Sequence, residues 1–130
     1  MKTNILFLFL VFLFLSPISN AQSSSNVTHV LFINSTNQDM PWHKSVDSGL
    51  RKKLIERSFS YELFVENMDV NRFDEANQKQ LMKDYLKQKY KNKHIDIIVT
   101  QSPSAAVLLS QLDDFFINAP RIYLELRRSI

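Results

Sequence analysis

Cysteine is absent from this chain, and glycine occurs once, at Gly49. Without cysteine no disulfide can staple the fold, so it must be held by its core alone. The scarcity of glycine excludes more. A phosphate loop or a dinucleotide fingerprint needs several glycines between a strand and a helix, so that backbone N–H groups can approach the phosphates. Neither can be built here, and no cofactor is expected. The three histidines, His29, His43 and His94, lack any helical or loop spacing that would gather them on a metal. Ser102 lacks the flanking glycines of a nucleophile elbow, and His43 reads as a surface residue in the first turn of a helix. No catalytic set is legible, so the expectation is a non-enzymatic protein.

Charge of one sign is also in short supply. Sixteen Lys+Arg stand against 13 Asp+Glu, a net charge of +3, and the basic residues are spread along helices rather than clustered. A nucleic-acid footprint is not indicated. At 130 residues and 45% hydrophobic composition, the chain allows one ordinary globular domain at most.

What is present begins with an export signal. Lys2 precedes an unbroken apolar run from Ile5 to Leu15, then comes Ser16-Pro17, and Ser19 and Ala21 supply the small residues that a signal peptidase reads. The run is shorter than the ~20 residues of a bilayer-spanning helix. Residues 1–21 are therefore read as a signal peptide, 22–26 as a flexible leader and 27–130 as the domain. The expected location is periplasmic or otherwise extracytoplasmic; retained uncleaved, the same signal would be a membrane anchor. Asn26-Val27-Thr28 and Asn34-Ser35-Thr36 fit the glycosylation pattern, but nothing else indicates a eukaryotic secretory protein.

Within the domain, "VTHVLFI" from Val27 reads as a buried strand. From Pro41 the period becomes helical, with Trp42, Val46, Gly49, Leu50 and Leu54 on one face. "SYELFVE" from Ser60 is a second strand, and Asp74 to Tyr90 a second helix with Asp74 as N-cap. "IDIIVT" from Ile95 is a third strand. "SPSAAVLLSQLDDFF" is a third helix, with Ser102 positioned to cap it and Pro103 in its first turn. Arg121 to Leu126 closes the pattern as a fourth strand. Alternating strands and helices predict an α/β fold with a doubly wound, mainly parallel sheet and helices on both faces.

In such a sheet ligands sit beyond the carboxyl ends of the strands. That rule selects Asn34 to Asp39, Pro41 and Trp42 after the first strand, Glu66 to Asp69 after the second, and Gln101, Ser102 and Ser104 after the third. Asp39 and Asp69 read first as a turn former and a loop carboxylate. Trp42 reads equally as a core residue in phase with Val46 and Leu50 or as an aromatic wall for a ligand. Ser102 and Ser104 stand at a helix N-terminus, where free N–H groups suit an anionic group.

The stretches "HVLFINSTNQDMPWHKSVDSGLRKKL", "SYELFVENMDVNRF" and "HIDIIVTQSPSAAVLL" resemble the opening of the ABC-transporter substrate-binding-protein family, which has the type 1 periplasmic binding fold. They are most similar to the versions that form extracytoplasmic sensor regions of bacterial signalling proteins. The resemblance spans His29 to about Leu124. It implies a two-lobed clamp on a small organic solute, an amino acid in some transport relatives. It also implies one of two partners: an ABC permease, or a membrane-linked histidine kinase or diguanylate cyclase module. The matching crevice positions are Ser35, Asn37, Trp42, Asp69, Ser102 and Ser104. A complete member has a second lobe, so the expectation is that this chain is most of an N-terminal lobe, a truncated form that lacks its second lobe. A small α/β hydrolase and a flavodoxin-like interaction module are the competing readings.

Overall fold

The computed structural model describes residues 26–58 and 60–125. The expected signal segment and nearly all of the leader lie outside the described residues. So do Leu126 and the four residues after it. Among the described residues no helix is long and apolar enough to cross a membrane.

Strand β1 (Thr28–Asn34) is the centre of the molecule, and its sequence explains why. Val30 to Ile33 are fully buried, with both faces of the strand apolar, as a parallel strand covered on two sides requires. Strands β2 (Tyr61–Asn67) and β3 (Ile97–Gln101) pair with it in parallel on either side, and β4 (Arg121–Leu124) pairs in parallel with β3. The sheet order is β2-β1-β3-β4.

This order makes the chain run one way from β1 to β2 and then back across β1 to β3 and β4. Right-handed crossovers put the connecting helices on opposite faces when the direction reverses. Accordingly helix α1 (Pro41–Glu56) lays Val46, Leu50 and Leu54 on Val30, Phe32 and Val99. Helices α2 (Glu75–Tyr90) and α3 (Pro103–Ser110) pack on the other face, where Leu86, Tyr90, Ala105 and Leu108 meet Leu31, Ile33 and Ile98. The fold is thus α/β and all-parallel, with helices on both faces. Its switch point lies between β1 and β3.

Local chemistry sets the ends of the elements. The Asp74 carboxylate accepts from the Asn77 N–H at 2.9 Å and caps α2, as its position in the sequence suggests. The Glu66 carboxylate, buried on β2, accepts from the Tyr90 hydroxyl at 2.6 Å and from Lys89 Nζ at 2.5 Å, fastening the end of α2 to the sheet. Burial, and then the carboxylate beside it, push the Tyr90 hydroxyl well above its ordinary range.

Several boundaries differ from expectation: β4 ends at Leu124 rather than Leu126, β1, β2 and β3 each run one residue further, and two other differences have a visible cause. Strand β3 starts at Ile97, because the Asp96 carboxylate turns back to accept from the His29 N–H at 2.8 Å. Helix α3 ends at Ser110 rather than near Phe116. Beyond it the chain tightens into turns, with Gln111 N–H bonding Leu108 C=O at 3.1 Å and Leu112 N–H bonding Leu109 C=O at 3.0 Å. Asp113 and Asp114 would have stood at the negative end of a longer helix. Instead Asp113 pairs with Arg121 at the start of β4, while Leu112 and Phe116 remain buried.

Candidate ligand crevice

The first three strands end alike. Asn34, Asn67 and Gln101 are the last residues of β1, β2 and β3, and the register places Asn34 directly between the other two. All three share the α1 face of the sheet with Phe32, Val65 and Val99, two residues before each. A row of carboxamides therefore crosses the carboxyl edge beneath the first turn of α1.

His43 closes one end of this row. Its Nε2 lies 2.8 Å from Asn34 Nδ2 and 3.1 Å from Asn67 Oδ1, and Asn34 Nδ2 also donates to Asn67 Oδ1 at 3.2 Å. The imidazole accepts from Asn34 with its hydrogen on Nδ1, or donates to Asn67 with it on Nε2. His43 is buried, which corrects its reading as a surface residue. Three residues before Val46 and seven before Leu50, it lies on the same face of α1 as that stripe, above the protruding strand ends.

At the other end of the row, between β1 and β3, lies an open cleft of about 510 Å³. Ser35, Thr36, Trp42, Gln101, Ser102 and Tyr123 line it, with Glu125 at its margin. Trp42 is 38% exposed, a wall rather than a core residue. Ser102 stands at the N-cap position of α3 but caps nothing, contrary to expectation. Its backbone is left-handed, at φ 79°, and its hydroxyl instead donates to Ser35 Oγ across the switch point. The loops after β1 and β3 are thereby tied together.

The six crevice positions taken from the resemblance divide evenly. Ser35, Trp42 and Ser102 come together in the cleft. Asn37, Asp69 and Ser104 do not line it. The Asn37 side chain accepts from Asp39 N–H at 3.0 Å and its own N–H donates to Asn71 Oδ1 at 3.1 Å, so it shapes the loop. Asp69 sits at φ 62° and receives the Arg72 guanidinium through contacts as short as 2.6 Å. Those hydrogen bonds hold its carboxyl below the usual carboxylate range. Ser104 Oγ donates to Glu75 Oε1 at 2.6 Å, joining α3 to the start of α2. Gln101 and Tyr123 line the cleft without having been carried over from the resemblance. The signal for Gln101 was available, since "LFIN", "FVEN" and "IVTQ" each run an apolar strand into a carboxamide.

A second hollow, of about 520 Å³, lies on the far flank of α1 between Asp39, Lys44, Asp47 and Arg51, with His43 and Asn67 at its base. Arg51 and Asp47 are paired there at 2.8 Å. Among the described residues no cluster of three or more His, Asp or Glu side chains could hold a metal. His43 Nε2 is engaged with the two asparagines, and the Ser102 hydroxyl is engaged with Ser35.

The fold and the crevice together define a class: a doubly wound parallel α/β domain with a ligand-sized cleft at its switch point. Comparison of the chain with protein-family models, with curated proteins and with solved structures finds no match.

Proposed function

We propose that this chain is a solute-binding lobe, exported to an extracytoplasmic compartment, that holds a small organic molecule at the carboxyl edge of its sheet. The observation that carries this reading is the cleft between β1 and β3, where Trp42 presents an exposed aromatic wall beside the tied loops of Ser35 and Ser102. A cleft of about 510 Å³ falls in the range of small-molecule sites, which combine an apolar wall with a few fixed polar groups. The resemblance to substrate-binding and sensor proteins supports the same placement. In that arrangement a second lobe closes over Trp42 and supplies the other half of the contacts, and the solute favours closure by its extra affinity for the closed state. An ABC permease or a membrane-linked signalling module would then read the closed form.

Binding to the folded chain alone must raise its melting temperature with solute concentration. A library of small organic solutes, applied at millimolar concentration in a thermal-shift assay, should contain members that stabilise the chain. Uniformly unchanged melting across a broad library contradicts the reading.

A further inference from the structure

We infer that two copies of this chain pair through β4, edge to edge and antiparallel, about a two-fold axis at Tyr123. Among the described residues β4 is an outer strand of the sheet, and Arg121, Ile122 and Tyr123 are exposed on it. Ile122 and Tyr123, 48% and 45% exposed, project to opposite faces, so neither face of the strand is well covered. The Pro120 C=O accepts from the Ile98 N–H at 2.9 Å, which turns the backbone groups of Pro120, Ile122 and Leu124 toward β3. By the alternation of a strand, Arg121, Tyr123 and Glu125 turn theirs outward.

Such a row of free N–H and C=O groups is a template for another strand, and natural edges are usually blunted by charges, bulges or proline. Strand β2, at the other edge, carries Glu62 and Glu66, each paired with a lysine. Strand β4 has no such device between Arg121 and Glu125, and Pro120 only ends the free stretch.

What selects a second copy of this chain is self-complementarity. Turned antiparallel on itself about Tyr123, the run Arg121-Ile122-Tyr123-Leu124-Glu125 sets Arg121 across from Glu125, Ile122 across from Leu124, and Tyr123 across from its copy. Every outward residue then faces an outward residue, so each free N–H finds a free C=O. Opposite charges meet at both ends of the junction. Glu125 has no hydrogen bond or ion pair among the described residues, and the Arg121 guanidinium is held only by Asp113. An axis at Ile122 instead leaves Glu125 opposite Ala119, beyond Pro120, and pairs no charges. Tyr123 and Glu125 also line the cleft, so the second copy stands at its margin.

Sedimentation equilibrium of the chain at sub-millimolar concentration should give twice the mass of a monomer. Glu125→Arg, which sets two arginines against each other at both ends, should raise the dissociation constant at least about tenfold. Glu125 is exposed, so at dilutions where both are monomers the variant should melt with the parent. Because the chain has no cysteine, Tyr123→Cys places a single thiol on the axis. Residues directly opposite in a hydrogen-bonded pair have Cα atoms about 5.5 Å apart, within reach of a disulfide. On oxidation this variant should form a covalent dimer at least about tenfold faster than Leu81→Cys, at an exposed position on α2. A monomer throughout leaves the edge to a partner of another kind and overturns the inference. So does a dimer that Glu125→Arg leaves unweakened, or cross-linking no faster at Tyr123 than at Leu81, because the copies then meet elsewhere. The parent's mass and the cross-linking rates stand even if Glu125→Arg does not fold, and none of these outcomes depends on a solute.

Discussion

Trp42→Ala is expected to leave the chain folded and to weaken solute binding about tenfold or more. The two halves of this result have separate causes. Trp42 sits in the first turn of α1 with 38% of its surface exposed, and the helix is anchored to the sheet by Val46, Leu50 and Leu54 instead. Truncating it therefore creates no sealed cavity, and the change in stability should stay near that of a surface substitution, roughly 0.5–1 kcal/mol. Binding is different, because a large aromatic wall is the residue type that most often dominates an interface when truncated. The check is the solute-dependent shift in melting temperature. It should shrink in Trp42→Ala at every concentration, while the melting temperature without solute stays close to the parent's.

Phe32→Ala should do the opposite, destroying the scaffold rather than the site. Phe32 is fully buried on the central strand, between α1 and the two flanking strands, and it lies two residues before Asn34 in the carboxamide row. Removing a buried phenyl ring costs about 3–5 kcal/mol, through lost transfer energy and the cavity left behind. Domains of this size are typically stable by about 5–15 kcal/mol, so the loss is a large share of the total. Urea denaturation followed by circular dichroism should show the midpoint falling sharply with little change in slope. A midpoint within a few tenths molar of the parent's would mean that Phe32 is not the packed centre described above.

How much of this was legible in the sequence depends on how local the cause is. The order of strands and helices was, because β1 is apolar on both faces and α1 changes period at Pro41. The cap on α2 was, because Asp74 acts on Asn77 three residues away. The end of α3 was not. Leu112 and Phe116 continue the apolar pattern, and only the need to return to β4, together with Asp113 and Asp114, stops the helix at Ser110.

The crevice was legible as a place and less so as a set of residues. The strand-end rule pointed to loops that form the cleft, and Ser35, Trp42 and Ser102 line it. It could not say which polar residues face inward and which are spent on the loops themselves. Asp69 is spent on Arg72, Asn37 on Asp39 and Asn71, and Ser104 on Glu75. His43 was misplaced although its spacing, three before Val46 and seven before Leu50, sets it on the packed face of α1; a lone polar ring there reads as a surface group until Asn34 and Asn67 are seen to reach up beneath the first turn. Only the register of β1 with its neighbours brings those partners together.

The most direct measurement is an amide and indole chemical-shift map of the isotope-labelled chain, titrated with a solute that stabilises it. Binding at the cleft predicts shifts at Ser35, Thr36, Gln101, Ser102 and the Trp42 indole N–H, around the switch point between β1 and β3. Shifts centred instead on Asp39, Lys44, Asp47 and Arg51, across α1 from that cleft, would contradict it.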